Sequence, residues 1–587
     1  MSNHPWIASY PAGLSWEEPS PPPFPLQSVL KVAAHRWPKR VAIDFYDQWL
    51  TYGQLYVLVR QTAQTLQAMG VGPNVNVALH LPNTPHFIIA FFGILFAGGR
   101  VVNLSPHSGL SELRAQIEDS DCRVLITADW LPTWPELPHI PEAATLEGII
   151  VCRLQDFLPV EVVESLIKPA ARHSSPLDNE MDFRRAIANN GVVQHHLGEK
   201  LEEGVAVIQY TGATTGEPKG AMLTHANFAA VIRILSRRAA GRRARPAHLG
   251  TESSSVAGTA APGRDASLKS GSPEMRLPPN SAGRTVLCVL PLSHIYGLSC
   301  VMLPTLVAGN QLLLHLRFDA EHVLDDIAGK RVNSFAGVPT MFSSLASHER
   351  FRNADFSSVS SWGSGGAPLP TELRERIETI TQRSLAEGYA LTETTGLGTL
   401  PLSFGEAQRA GQVGLPAPLT VIEVVDLQTG LQTLPPGEIG EICISGPQVM
   451  RGYWNRPDEN REAFRGGRFH TGDVGFIDAN GVLTLTDRKK QLLLVGAHNV
   501  YPATIERAIQ AHPDVMEVAV IGMPDPHFGQ VPKAIIALKP SRTPFTHREL
   551  CAFLAKRLAS YELPAAIEFR AALPKTAAGK LTKRDLI

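Results

Sequence analysis

The chain has 587 residues, which is too many for a single hydrophobic core, so we expect two or more domains. Its formal net charge of −1 gives no reason to expect a polyanionic partner such as nucleic acid. The six cysteines lie far apart and none forms a C-x-x-C pair, so neither a zinc site nor a disulfide framework is indicated, and this fits a reducing cytoplasm.

The first predicted elements alternate between strands and helices. A strand is predicted at VAIDF, from Val41, and an amphipathic helix at TYGQLYVLVRQTAQTLQAMG, which ends at Gly70. Another strand, NVALHL, precedes the apolar run FIIAFFGILFAGG. This run predicts a buried helix because a bilayer span takes about 20 residues, although an apolar substrate could still bring the protein to a membrane surface. Repeated strand–helix units predict α/β layers with largely parallel sheets.

A polar loop follows the buried strand that is predicted at GVAVIQY. The loop reads TGATTGEPKG, and a helix is predicted after it, with Thr224 as its N-cap. Glycines let backbone N–H groups approach an anion, and hydroxyls and Lys219 add donors and charge, so the loop is a candidate phosphate site. It is not a Walker A motif, because Gly216 is followed by Glu217 and Pro218 rather than by lysine. Taken alone, the loop could also be a surface turn.

Residues 237–283 interrupt the strand–helix pattern. They are rich in Gly, Ser, Pro and Ala and have almost no large apolar residues, which predicts a surface insertion that is mostly disordered. The composition changes again near Asp487, after which strands and two helices predict a compact α+β unit. We therefore predict an N-terminal domain over residues 1–487 and a C-terminal domain over residues 488–587.

Five further polar stretches lie between these elements. They read SGGAPLP, EGYALTETTG, FHTGDVG, TDRKKQ and LPKTAAGK. Each alone could be an ordinary turn or a solvated charged face. The ordered set YTGATTGEPKG, GYALTET, HTGD, DRKKQ and PKTAAGK, however, resembles the signature of the AMP-forming, or adenylate-forming, acyl-CoA synthetase superfamily. The resemblance runs from about Ala42 to the end of the chain, apart from the insertion.

Other stretches narrow this resemblance. The segments LPLSHIYGL, FAGVPTMF, SGGAPLP, GPQVMRGYWNRP and HNVYPATIE resemble bacterial long-chain fatty-acid–CoA ligases more than aryl-CoA ligases of the 4-coumarate type. The resemblance implies an α/β fold with a large N-terminal domain of layered α/β sheets plus a β-rich subdomain. A small, mobile α+β C-terminal domain would complete it.

The resemblance also implies two half-reactions. A carboxylate would attack the α-phosphate of ATP and give an acyl-adenylate and pyrophosphate, after which the thiol of CoA would displace AMP. The implied partners are a fatty acid, ATP and CoA, with Mg²⁺ as cofactor and no nucleic acid. The implied location is cytoplasmic, with peripheral association at the inner membrane face as an option.

The family roles can be placed on residues of this sequence. Lys580 would be the catalytic lysine of adenylation, Thr392 would bind the α-phosphate, and Glu393 would bind Mg²⁺. The implied ATP- and AMP-binding residues are Thr211, Gly212, Thr214, Thr215, Gly216, Lys219, Gly365, Gly366, Ala367, Tyr389, Asp473 and Arg488. The loop residues would hold the β- and γ-phosphates. Tyr389 would stack on adenine, and Asp473 with Arg488 would bind the ribose.

The remaining roles concern domain motion and the acid. Asp487 would be the hinge about which the C-terminal domain rotates, and Gly496 would then lie beside the CoA channel. The implied acyl pocket contains His294, Gly297, Ala336, Gly337 and Ala390. The chain departs from the family pattern at Ala213, in place of glycine or serine, and at Ala390, in place of glycine. The second departure bears on acyl-chain length.

Two kinds of alternative stay open. Within the family, the acid could be medium-chain, dicarboxylic or aryl, or the enzyme could load a carrier protein. Outside catalysis, the chain could be an acyl- or nucleotide-binding protein of the same fold. The motifs do not decide chain length, oligomeric state, physiological pathway or the purpose of the insertion.

Overall fold

The computed structural model of the protein describes most of the chain. The described residues are 4–11, 15–16, 22–134, 146–167, 180–194, 203–211, 218–243, 283–401, 411–495, 498–555, 557–575, 581–583 and 586.

The first layer is a sheet built by residues before Arg243. Its region contains β1 (Val41–Phe45), β2 (Gln48–Thr51), β3 (Asn76–Leu79), β4 (Arg100–Asn103), β5 (Cys122–Ala128), β6 (Gly148–Cys152), β7 (Glu180–Asp182), β8 (Val205–Tyr210) and β9 (Gly220–Thr224). The helices are α1 (Ser28–Arg36), α2 (Tyr52–Ala68), α3 (Pro85–Ala97), α4 (Leu110–Asp119), α5 (Val160–Leu166), α6 (Phe183–Ala186) and α7 (His225–Arg243). The strand order is β9-β8-β4-β3-β5-β6-β7, and only the β8–β9 pair is antiparallel among them.

The predicted elements of this layer are confirmed. Helix α2 begins at a capping box in which Thr51 and Gln54 exchange side-chain-to-backbone hydrogen bonds. Helix α3 is almost wholly buried, as the apolar run predicts. It is about 20 Å long, whereas a bilayer core is about 30 Å thick. No described helix combines the length and apolar character that a membrane span requires.

The second layer is a seven-stranded sheet. Its new elements are β10 (Thr285–Cys288), α8 (Leu303–Val307), β11 (Gln311–Leu314), α9 (Ala320–Gly329), β12 (Ser334–Gly337), α10 (Pro339–Ser347), β13 (Ser361–Ser364), α11 (Thr371–Thr381) and β14 (Leu385–Glu387). The order is β14-β13-β12-β10-β11-β1-β2, and every pair except β1–β2 is parallel. The carboxyl ends of β12, β13 and β14 therefore meet at one edge, where open α/β sheets bind ligands.

The β-rich subdomain comes next and is antiparallel. Its region contains β15 (Thr399–Leu400), β16 (Gln412–Pro416), β17 (Val421–Val425), β18 (Gly440–Ser445), β19 (Gly452–Tyr453), α12 (Pro457–Ala463), β20 (Phe469–Ile477) and β21 (Leu483–Arg488). Six of these strands form a sheet in the order β15-β16-β21-β20-β18-β17. Strand β19 instead pairs with β9, which ties this region to the first layer.

The C-terminal region has its own sheet and core. It contains β22 (Leu493–Val495), β23 (His498–Val500), α13 (Pro502–Gln510), β24 (Val515–Asp525), β25 (Gly529–Leu538), α14 (His547–Leu554) and β26 (Ala566–Phe569). Ile505, Ile536 and Leu550 are fully buried in one cluster between its helices and sheet. Together the layers confirm the predicted fold class. The predicted boundary at residues 487–488 lies at the end of β21, where Arg488 still pairs with Asp473.

Two local predictions need correction. The polar loop after β8 is followed by a second strand, β9, before α7 begins, because Ala221 and Leu223 bury their side chains against β8. Strands β8 and β9 therefore form a β-hairpin before the predicted helix begins. The predicted insertion also begins too early, since α7 continues to Arg243; residues 244–282 lie outside the described part of the chain.

An N-terminal arm packs on the β-rich subdomain. Trp6 is buried and contacts Gly481, the glycine of the turn between β20 and β21. The Tyr10 hydroxyl donates to the carbonyl of Pro416, and the Trp16 Nε1–H donates to the carbonyl of Thr420 at 3.1 Å. The arm thus fixes the hairpin that leads to the predicted hinge.

A pair of glycine variants tests this packing. Gly481 has φ +84°, and a Cβ there would lie 2.4 Å from Trp6 backbone and side-chain atoms, whereas Gly467 has φ +77° and open space around it. We expect Gly467→Ala to cost about 1 kcal/mol for the left-handed backbone. We expect Gly481→Ala to cost about 3 kcal/mol, because displacement of Trp6 is added. Differential scanning calorimetry measures both, and equal losses would contradict the packing role of the arm.

Candidate active site

A cavity of about 3350 Å³ lies where the second sheet faces the β-rich subdomain and the C-terminal region. Most of the described residues of the predicted site line it. They are Thr211, Lys219, His294, Ala336, Gly365, Gly366, Ala367, Tyr389, Ala390, Thr392, Glu393, Asp473, Asp487 and Arg488. The same cavity is bordered by Lys575, Leu581 and Lys583, which flank the segment of Lys580.

The predicted adenine wall, Gly365 to Ala367, follows β13, and the residue expected to stack on adenine, Tyr389, follows β14. Glu387, at the end of β14, connects the segments that follow these two strands. Its Oε1 accepts from the backbone N–H of Leu369 at 3.0 Å, and its Oε2 accepts from the guanidinium of Arg374. Burial raises the pKa of Glu387 to about 7, against the opposing effect of Arg374. Sequence reasoning missed Glu387 as a structural tie, although it opens the EGYALTETTG motif.

The predicted ribose site contains a network around Asp473. The Tyr389 hydroxyl donates to Asp473 Oδ2 at 2.6 Å, and Arg488 Nε lies 3.0 Å from Asp473 Oδ1. Asp473 and Arg488 face each other in the register of β20 and β21. Burial and the Asp473 charge both raise the pKa of the Tyr389 phenol, so this hydroxyl remains a donor.

Thr392 and Glu393 lie in a single helical turn after Tyr389. The backbone then passes through Thr395 at φ +52° and Gly396 at φ +80°. Burial raises the pKa of Glu393, while the Tyr453 hydroxyl, which donates to its Oε1 at 2.8 Å, lowers it. In the described residues no cluster of three or more His, Cys, Asp or Glu side chains could hold a metal ion. One carboxylate still fits Mg²⁺ that is bound mainly by substrate phosphates.

The structure describes the two ends of the predicted phosphate loop. The backbone N–H of Thr211 donates to the carbonyl of Lys219 at 3.0 Å, and the Lys219 N–H donates to Thr211 Oγ1 at 3.3 Å, so the loop is closed at its base. Gly212, Thr214, Thr215 and Gly216 lie outside the described residues. Beyond β9, Thr224 Oγ1 accepts from Asn227 N, which confirms Thr224 as the N-cap of α7.

Asp487 connects β21 to the C-terminal region. Its Oδ1 accepts from the N–H of Arg488 at 2.7 Å, and its Oδ2 accepts from the N–H of Ala503 at 2.8 Å, in the first turn of α13. A carboxylate at a helix N-terminus is stabilised by the free N–H groups and the helix dipole. Lys580 and Gly496 fall outside the described part of the chain.

The predicted acyl pocket is only partly placed at the cavity. His294 and Ala390 line the cavity, and His294 Nδ1 accepts from the N–H of Tyr296 at 3.2 Å. Gly297 does not line it: a Cβ there would lie 2.3 Å from the Pro291 carbonyl, so this glycine permits close backbone packing. Gly337 packs against Phe335 and Phe342. The structure therefore places neither glycine at the cavity surface, and their part in an acyl pocket stays a prediction.

Tyr296 is a cavity residue that sequence reasoning missed. It begins a stretch of π-helix, Tyr296–Met302, and its ring packs on Gly365 of the predicted adenine wall. Short π-helical stretches are often found at functional sites. The motif LPLSHIYGL includes Tyr296, but the contact of its ring with Gly365, far along the chain, could not be predicted from the sequence.

The α/β layers, the β-rich subdomain and this cavity define an adenylate-forming enzyme. The chain matches the AMP-binding enzyme family over residues 30–454 and the AMP-binding enzyme C-terminal domain over residues 504–580. The protein therefore belongs to the AMP-binding enzyme family.

Relatives and solved structures agree with this membership. The chain is 34% identical over 597 residues to a long-chain-fatty-acid–CoA ligase of Bacillus subtilis (strain 168), with 100% of this chain and 98% of the relative covered. It is 33% identical over 554 residues to a feruloyl-CoA synthase of Amycolatopsis sp, with 94% and 96% covered. It resembles the ATP-bound crystal structure of RpMatB-BxBclM chimera B1 with a TM-score of 0.78, 26% identity and 96% and 98% coverage.

His225, the first residue of α7, gives a pH-dependent prediction. Its Nδ1 accepts from the N–H of Leu26 at 3.1 Å, and burial lowers its pKa from 6.5 to about 4. Between these values the unfolded chain binds more protons, so stability falls as pH falls. We expect a loss of about 2 kcal/mol at pH 5 relative to pH 7 from this group.

Thermal denaturation between pH 7 and pH 5 measures this loss. His225→Asn keeps an acceptor for Leu26 without the titration, so its stability should fall less steeply with acid. The buried His80, whose pKa burial also lowers to about 4, remains in both proteins and accounts for part of the residual slope. An identical pH dependence in the two proteins would contradict the role of His225.

Proposed function

We propose that this protein is an AMP-forming acid–CoA ligase whose acid is a long-chain fatty acid. It converts ATP, the fatty acid and CoA to acyl-CoA, AMP and diphosphate through an acyl-adenylate. The observation that carries the proposal is that Tyr389, Glu393, Asp473 and Arg488 line the same cavity as His294. A nucleotide and an acid can therefore lie side by side in one site.

The chemistry of adenylation explains the charges around this cavity. The acid and ATP are both anionic, so the protein must supply positive charge and oriented donors. Lys219 would hold the leaving phosphates and Arg488 would lie near the ribose, while Asp473 would accept hydrogen bonds from the ribose hydroxyls. Lys580 would add positive charge at the α-phosphate during adenylation. Thr392 would donate to the same phosphate.

Mg²⁺ is expected to enter with ATP, as part of the substrate. Glu393 would supply the protein carboxylate for it, and the phosphate oxygens would supply other ligands. Bound in this way, the ion neutralises charge on the phosphates. Tyr453 donates to Glu393 Oε1, so only part of the carboxylate is engaged by the protein and the rest stays available to a cation.

The second half-reaction would need the C-terminal domain to rotate about Asp487. Rotation would remove Lys580 from the site and bring the Gly496 segment beside the CoA channel, so that one cavity serves both reactions. Asp487 already contacts the predicted C-terminal domain, through the backbone N–H groups of Arg488 and Ala503. A cytoplasmic location with peripheral association at the inner membrane face suits an apolar substrate and stays a prediction.

An aryl acid is the second candidate substrate. The relative named feruloyl-CoA synthase is nearly as similar to this chain as the long-chain ligase. Ala390, which lines the cavity where the family usually has glycine, adds a methyl group that could narrow a long acyl tunnel. The reaction type would be the same with either acid.

A panel of acids decides between these substrates. CoA-dependent AMP release from ATP and Mg²⁺ is measured with saturated acids from short to long, one dicarboxylate and one cinnamate. We expect kcat/KM to be highest for long chains, because each buried methylene adds about 0.8 kcal/mol of binding. A maximum with the cinnamate would favour the aryl ligase. No AMP release with any acid would contradict ligase activity and favour the carrier-protein or binding-only alternatives.

Lys580→Ala separates the two half-reactions. We expect acyl-adenylate formation to fall on the order of a hundredfold or more, because a charge at the reacting phosphate is lost. Thioester formation from supplied acyl-AMP and CoA should be nearly unchanged. Lys575→Ala is the matched control, since Lys575 pairs with Glu517 at 2.5 Å. Equal loss of both half-reactions in Lys580→Ala would refute this division of roles.

A further inference from the structure

A short segment around β19 connects the two halves of the predicted phosphate site. On one side, Gly452 and Tyr453 pair with β9, the strand that follows the phosphate loop. The N–H of Trp454 extends this pairing by donating to the carbonyl of Gly220 at 2.8 Å. On the other side, the N–H of Met450 donates to the carbonyl of Glu393 at 2.7 Å. The segment is therefore bonded both to the loop and to the residue expected to bind Mg²⁺.

The side chain of Tyr453 makes the same connection. Its hydroxyl donates to Glu393 Oε1 at 2.8 Å, and the Nζ of Lys219 lies 5.1 Å from the centre of its ring. This distance is within the range of about 6 Å in which an ammonium is attracted to an aromatic face. In the described part of the chain, Lys219 and Glu393 form no ion pair with each other; the tyrosine ring lies beside Lys219 and its hydroxyl bonds Glu393.

The backbone of Tyr453 is held in place from α12. The Tyr453 N–H donates to Asn460 Oδ1 at 2.6 Å, and Asn460 Nδ2 donates to the Tyr453 carbonyl at 2.9 Å. Gly452 has φ +146°, and a Cβ there would lie 3.0 Å from Asn460 Oδ1. The N–H and the carbonyl of Tyr453 are both hydrogen-bonded to Asn460, which fixes the backbone from which the side chain reaches Lys219 and Glu393.

We propose that Tyr453 is a positioning residue that keeps Lys219 and Glu393 apart and aimed at a polyphosphate and its cation. An ammonium and a carboxylate that contact the same side chain would attract each other, and without the tyrosine between them they could form an ion pair. Such a pair would occupy the group that binds phosphate and the group that binds the cation. The tyrosine ring gives the ammonium an uncharged partner, and the hydroxyl orients the carboxylate. This inference rests on the proposed function, because it takes ATP with Mg²⁺ as the ligand.

Two variants separate the hydroxyl from the ring. Tyr453→Phe removes the donor to Glu393 and keeps the aromatic face, whereas Tyr453→Leu removes both. Isothermal titration calorimetry measures ATP affinity with and without Mg²⁺, in the absence of acid and CoA. We expect Tyr453→Phe to reduce the gain in affinity that Mg²⁺ gives by about fivefold, and to change ATP binding without Mg²⁺ less than twofold. We expect Tyr453→Leu to weaken ATP binding about fivefold even without Mg²⁺.

Tyr210→Phe is the matched control. Tyr210 also lines the cavity and donates to a carboxylate, Asp119 Oδ2, at 2.6 Å, but its hydroxyl bonds neither to Lys219 nor to Glu393. The Mg²⁺-dependent gain should be unchanged in this variant. A double-mutant cycle of Tyr453→Phe with Glu393→Gln should be clearly non-additive for the same gain, because the two substitutions remove one interaction.

The outcomes distinguish this inference from the proposed function. Unchanged binding in both Tyr453 variants, or an equal loss with and without Mg²⁺ in Tyr453→Phe, would overturn the positioning role. An additive cycle with Glu393→Gln would do the same. Absence of ATP binding by the wild-type protein would instead refute the ligase proposal. An unexpected acid in the substrate panel would leave the binding test intact, because no acid is present in it.

Discussion

The arrangement of the site depends on the contacts that the carboxylate of Asp473 makes with Tyr389 and Arg488. It accepts from Tyr389, which follows the last strand of the parallel second layer, and it pairs with Arg488, at the end of an antiparallel strand. One buried side chain therefore joins two sheets of different construction. Because a buried carboxylate is costly without donors, the tyrosine hydroxyl and the arginine guanidinium offset the cost of burying it.

The same requirement recurs around the cavity. Glu387 is satisfied by Leu369 and Arg374, Glu393 by Tyr453, and Asp487 by the backbone of Arg488 and Ala503. Leu369, Arg374, Tyr453 and Ala503 each lie on a different part of the fold from the acid to which they donate, whereas Arg488 is the neighbour of Asp487 on β21. The carboxylates thus fix the predicted adenine wall, the predicted cation ligand and the predicted hinge in relation to one another. A site built in this way is organised before its substrates arrive.

Much of the fold could be predicted from the sequence, because strands and helices bury one face and leave a local periodicity. Helices α2 and α3 and strands β1, β3 and β8 were predictable for this reason. The hairpin partner β9 was missed, since a five-residue apolar strand beside a glycine-rich loop is easily merged with the helix that follows. The surroundings of Gly297 and Gly337 could not be predicted, because a glycine's sequence position does not say which atoms approach it. Gly297 lies against backbone atoms and Gly337 against aromatic rings of the protein.

The sequence alone determined the α/β class, the family resemblance and the identities of the residues that bear charge around the cavity. These properties follow from short motifs and from local hydrophobic patterns. Only the tertiary structure decided that an N-terminal tryptophan packs on Gly481, that Glu387 ties two loops together, and that Tyr453 lies between Lys219 and Glu393. Such contacts join residues far apart in the chain. They follow from how whole layers pack, which no local pattern of residues records.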